Sequence, residues 1–164
     1  MSASNPTTMA PDYDITDLDE FARWFTAKEI PQRLWTHGAH LAVGLWHVHR
    51  YGSDEALTRL RRGIRSLNEH HGKVNTESSG YHETITRAQV SLLSDFLRRS
   101  DPALPLIERY AQLMASPLAD RDVLLRFYSR DRLMSSRARA EWVEPDLAPI
   151  SAEGLTDAAA AAAG

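Results

Sequence analysis

Apolar residues recur along this chain with helical spacing, and each run is framed by residues that start or stop helices. Leu18, Phe21, Ala22 and Phe25 share one face of a short first helix, with Thr16 as N-cap and Asp17, Asp19 and Glu20 in its first turn. Proline suits the first helical position, so Ile30-Pro31 opens a second helix over residues 31 to about 50, which Gly52 ends. A third starts from a Ser53 cap and carries Leu57, Leu60, Ile64 and Leu67 as far as Gly72. Its other face, with Arg59, Arg61, Arg62 and Arg65, reads as solvated. A fourth spans about residues 81 to 99 and stops at Asp101-Pro102. After Pro105 a fifth carries Leu106, Ile107, Tyr110, Leu113 and Met114 to Ser116-Pro117. Residues 120–128 and 129–142 give shorter helical pieces, followed by an extended stretch over 143–149.

No alternating pattern persists anywhere, so the expected class is all-α: an antiparallel bundle of four to five helices with short C-terminal helices and an extended tail. One domain over residues 13–150 is expected, between a small, polar leader over 1–12 and a low-complexity tail over 151–164 that ends in a run of alanines. Neither end is expected to carry function.

Charge and composition narrow the function classes. A net charge of −3 without a long basic block leaves no electrostatic footprint for nucleic acid or an anionic membrane. The first ten residues lack the basic start and apolar core of a signal peptide, and no apolar run approaches the roughly 18 residues of a membrane span, so a cytoplasmic protein is expected. The absence of cysteine excludes disulfides, a thiolate nucleophile and Cys-ligated zinc or iron–sulfur sites. Any metal must be held by nitrogen and oxygen.

Seven histidines supply the nitrogen. A rotation of about 100° per residue places Leu34, Leu41, Leu45 and Val48 on one face of the second helix, with His37, His40, Gly44 and His47 as a stripe along its edge. Trp35, Ala39, Ala42 and Trp46 cover the opposite side, so this helix is apolar nearly all round and belongs at the centre. Glycine costs a helix roughly 1 kcal/mol relative to alanine, so Gly44 marks a close approach by a neighbouring helix or a ligand. On the fourth helix His82 and Gln89 fall between the edges of the apolar face, with Thr86 nearby. Polar groups placed there need a hydrogen bond or a metal.

The candidate metal ligands are therefore His37, His40 and His82, with His47 in reserve, and the ion is Fe(II) or Zn(II). Glu83 is the candidate fourth ligand or general base and Tyr81 its catalytic neighbour; Gln89, Tyr128 and Arg130 are the candidate substrate contacts. His49 and His70 read as surface residues and His71 as a helix C-cap. The leading expectation is a small metalloenzyme acting on a small-molecule substrate, with oxygen-dependent and hydrolytic or transfer chemistry both open. A metal-free binder or enzyme using His82 and Glu83 as acid and base is the alternative, as is a structural or regulatory helical protein. A homodimer is left open.

The motifs Trp35-Thr-His-Gly-Ala-His-Leu41, Ser79-Gly-Tyr-His-Glu-Thr-Ile-Thr86, Arg126-Phe-Tyr-Ser-Arg-Asp-Arg-Leu133 and Trp142-Val-Glu-Pro-Asp-Leu147 resemble those of a bacterial family of small proteins, over roughly residues 30–150. That resemblance implies no particular activity. The chain is more weakly similar to the DinB-like four-helix bundles, and that similarity implies a three-histidine metal site with thiol-transfer or isomerase chemistry. Those bundles place a lone histidine before a His-x-x-x-His pair, whereas here the pair His37/His40 precedes the lone His82. The repeated Glu-x-x-His of ferritin-like di-iron proteins is missing.

Overall fold

A computed structural model describes residues 14–156, so the expected leader and the end of the tail lie outside the described residues. Every regular element among them is helical, and the fold is an all-α bundle. The first helix, α1 (Leu18–Thr26), is capped by Asp17 rather than Thr16. Asp17 has extended backbone, and its carboxylate accepts the Glu20 N–H at 3.0 Å, satisfying one of the orphan donors of the first turn.

The second helix, α2 (His37–Tyr51), starts later than its proline suggested. Pro31 opens only a single 3-10 turn over Gln32–Leu34, and Trp35 then leaves helical geometry at ψ 64°. Thr36 caps α2 by accepting the Ala39 N–H at 3.2 Å. Gly52, at φ +80°, ends α2 and is also the N-cap position of α3 (Ser53–His70), so Ser53 is the first helical residue and not the cap. The remaining helices are α4 (Glu83–Arg99), α5 (Leu106–Met114), α6 (Arg130–Leu133) and α7 (Ser136–Ala140).

As its composition demanded, α2 is central. It packs against α1, α3, α4 and α5, and Ala39, Leu41, Ala42, Val43 and Leu45 are each no more than 2% exposed. Polar contacts fix its neighbours: the Trp46 indole N–H donates to Asp19 on α1 at 2.7 Å, and the Tyr110 hydroxyl on α5 donates to the Gly38 carbonyl at 3.0 Å. Buried Arg109 donates to the Leu97 carbonyl at 3.0 Å, which satisfies an orphan acceptor at the end of α4.

Beyond α7 the chain has no regular structure and bends at residues 146–148, inside the stretch expected to be extended; it is tied to α4, where Thr84 donates its hydroxyl to the Glu141 carbonyl at 2.8 Å and accepts the Val143 N–H at 3.2 Å. The packed unit continues past the expected boundary at residue 150. Ala152 is fully buried and its N–H donates to Asp95 at 2.8 Å.

Two glycines permit close helix approach. A methyl on Gly44 would stand 2.8 Å from the Leu93 side-chain Cδ1, so α4 is the close neighbour that this glycine implied. A methyl on Gly63 of α3 would overlap the ring of Phe25, a contact the sequence pattern did not single out. The Phe25 ring is rigid and buried, whereas the Leu93 methyl is the end of a flexible side chain. Gly63→Ala is therefore expected to lower unfolding free energy by about 1–2 kcal/mol, overpacking outweighing the gain in helix propensity. Gly44→Ala is expected to stay within about 1 kcal/mol of wild type; urea unfolding of both variants checks the contrast.

Candidate functional site

Between α2 and α4 lies a cavity of about 470 Å³, with α3 and the segment over residues 121–134 completing its wall. Its wall is largely apolar, including Leu41, Leu60, Ile64, Ile85, Leu93 and Leu124. The polar atoms come from few side chains. His37 and His40 reach it from the first turn of α2, and Thr86 and Gln89 from α4.

The hydrogen bond made by His40 determines its tautomer. Its Nδ1 lies 2.7 Å from the Thr36 carbonyl, which can only accept, so Nδ1 carries the proton and Nε2 keeps a lone pair. The ring also lies against Trp35, centroids 3.8 Å apart. A small molecule can reach His40 from the cavity, although protein surrounds the ring closely enough that desolvation pushes its pKa down to about 4. The imidazole is neutral at physiological pH. Burial also lowers the pKa of half-buried His37, against the opposing pull of the Ala119 backbone, and its Nε2 has no hydrogen-bond partner. Trp35 lines the cavity too, and its indole N–H is buried and unpartnered. The amide of half-buried Gln89 makes no hydrogen bond among the described residues.

His82 belongs to a different cluster. It is the N-cap of α4: Nδ1 accepts the Ile85 N–H at 3.1 Å, which leaves Nε2–H to donate to the Leu133 carbonyl at 2.8 Å. Both nitrogens are committed and neither offers a lone pair, so in this conformation His82 does not join His37 and His40 around a metal. No group of three or more metal-ligating side chains occurs among the described residues. His47 is also turned away. Its Nδ1–H donates to the Val43 carbonyl at 2.8 Å, and its ring is enclosed by Phe25, Trp46 and Tyr51.

Glu83 is not placed as a base. Arg61 grips both carboxylate oxygens at 2.8 and 2.7 Å, and the Tyr81 hydroxyl donates to one of them at 2.7 Å. The Arg61 guanidinium holds the Glu83 carboxyl below its usual range, while burial and the adjacent carboxylate push Tyr81 up to about 12. This network closes the start of α4 onto α3, so Arg61 is an ion-pair partner and not merely solvated. Tyr128 is fully buried and donates to the Val143 carbonyl at 2.8 Å, and Arg130 is exposed on α6 away from the cavity wall. Of the expected site residues, the fold brings together His37, His40 and Gln89.

Four polar or aromatic cavity residues, Trp35, Thr36, Arg121 and Asp122, escaped the sequence reading. Trp35 was assigned to the far side of a helix that does not yet exist at that position, and Arg121 and Asp122 lie in a turn ahead of a 3-10 helix (Val123–Arg126), where a helical piece from residue 120 was expected. The Trp-Thr-His run held the missing signal, since threonine one residue before a histidine-rich apolar run is an N-cap.

Burial holds His37, His40, His47 and His82 below the ordinary histidine pKa in the folded chain. The unfolded chain titrates near ~6.5 and so binds more protons below that pH. The contribution of these histidines to stability is thus fully present above about pH 6.5 and is lost as the pH drops through the folded values. His82→Asn keeps an N-cap acceptor but has no proton to gain. It is expected to flatten the acid limb by up to about 1.4 kcal/mol per pH unit, at a cost of about 1 kcal/mol near neutrality for the lost Leu133 contact. Urea titrations of both proteins at about pH 7.5 and about pH 5.5 measure the difference; an unchanged slope would contradict the assignment.

Comparison of the chain with known protein families, curated proteins and solved structures finds no match, so the candidate site rests on its own geometry.

Proposed function

We propose that this protein binds a small, mainly apolar organic molecule in the cavity between α2 and α4, with His40 and Gln89 as its polar contacts. One observation carries the reading. His40 Nε2 and the Gln89 amide, both on residues that line the cavity and neither closed off from it, make no hydrogen bond among the described residues. Polar groups that the protein leaves unpartnered on an otherwise apolar wall are where a ligand's polar atoms are accommodated. The volume supports the same conclusion, because about 470 Å³ is many times the roughly 30 Å³ of one water and falls in the range of ligand pockets.

The chemistry favours binding over proton abstraction. A general base works best with a pKa near the operating pH, and His40 is pushed down to about 4. Its lone pair suits it to accept a hydrogen bond from a hydroxyl or N–H of the ligand, while the Gln89 amide can both donate and accept. A thermal-shift series with p-cresol, indole and decanol tests this. A bound probe at a hundredfold excess over Kd adds about 2.7 kcal/mol, which for a chain of this size raises Tm by about 5 °C or more. His40→Phe keeps an aromatic ring beside Trp35, removes the acceptor and is expected to weaken p-cresol about tenfold. Absence of any shift across the series would overturn the reading.

A second reading is a Fe(II) or Zn(II) site on His37 and His40, and one observation favours it. Anchoring of Nδ1–H on a backbone carbonyl with Nε2 left free, as in His40, is how metal-bound imidazoles are commonly held. Two imidazoles fall short of the three protein ligands usual for a catalytic zinc, and recruiting His82 breaks both of its hydrogen bonds. Titration of the untagged protein with zinc, and with ferrous iron under anaerobic conditions, separates the cases. Stoichiometric binding lost in His40→Phe but kept in His82→Asn supports a two-histidine site; less than about a tenth of an equivalent bound removes this reading.

A further inference from the structure

We infer that the molecule bound in this cavity is an amphipathic carboxylate, its apolar body against the aliphatic wall and its anionic head against Arg121 at the rim. The inference rests on the small-molecule reading above and adds the class of ligand. Arg121 and Asp122 are the only residues with a formal charge on the cavity lining, and both are exposed. Arg121 forms none of the ion pairs found among the described residues, which join Arg59, Arg61, Arg98, Arg99 and Arg137 to their acids. A guanidinium without a partner at the mouth of an apolar cavity presents the fork geometry that suits a carboxylate.

The charges around the cavity are of both signs: Asp120 and Asp122 flank Arg121 in the chain, while Lys73 acts on His40 in the same sense as Arg121 acts on His37. Arg121 is the cation on the cavity lining, and an anionic head placed against it gains an attraction that a neutral head forgoes.

Three probes built on ten-carbon chains separate the alternatives: decanoate, decanol and decyltrimethylammonium, each titrated calorimetrically below its aggregation limit at about pH 7.5 and low salt. Decanoate is expected to bind at one site several-fold to about tenfold more tightly than decanol, with decyltrimethylammonium weakest, and its advantage is expected to shrink as salt is added. Arg121→Gln should remove the advantage of decanoate and leave decanol unchanged, whereas Asp122→Asn should retain or increase it. Both positions are exposed, so the variants are expected to fold as wild type does. Equal binding of decanoate and decanol, or a decanoate advantage that survives Arg121→Gln, overturns the inference while leaving a cavity that binds apolar molecules. Failure of all three probes overturns the cavity reading itself, and the head-group inference with it.

Discussion

Enclosure of α2 on nearly every side is the constraint on which the rest of this structure depends. Packed against four other helices, α2 carries four histidines, and two of them answer the enclosure in one way: His40 and His47 each donate Nδ1–H back to the carbonyl four residues earlier. That bond fixes the tautomer and holds the ring, and desolvation by the surrounding protein keeps it neutral. The difference between the two lies in what faces the other edge. His47 meets aromatic rings and is a core residue, while His40 meets a cavity and has a lone pair to offer.

The start of α4 shows how a helix terminus can resemble a catalytic cluster. Tyr81, His82 and Glu83 place a phenol, an imidazole and a carboxylate side by side, a set that suggests acid–base chemistry. Each group is instead fully used. His82 caps the helix and joins it to α6, while Glu83 joins it to Arg61 of α3 with Tyr81 as a further donor. An ionised carboxylate held by a bidentate arginine at a helix N-terminus, where the dipole also favours negative charge, is stabilised in its charged state and is a poor base. Function is therefore better sought where polar groups remain unsatisfied, around Trp35, His37, His40 and Gln89.

Much of the fold was legible in the sequence because helical periodicity and helix stops are local properties. The all-α class and the central place of α2 both follow from which residues recur at helical spacing. Helix starts were less legible. Pro31 competed with Thr36 for the start of α2, and the side-chain cap decided it, because Trp35 departs from helical geometry just before it. That shift moved Trp35 from the far face of a helix to the wall of the cavity.

What the sequence determined by itself is the inventory: helices rich in neutral nitrogen donors, no thiolate, and a glycine where another helix must approach. Only the tertiary structure decided which of those nitrogens are spent. Whether an imidazole offers a lone pair depends on the carbonyls and amides that distant segments bring to it, as Leu133 is brought to His82 across 51 residues. Spacing along one helix carries no record of those partners, so His37 and His40 remain at the site and His82 does not.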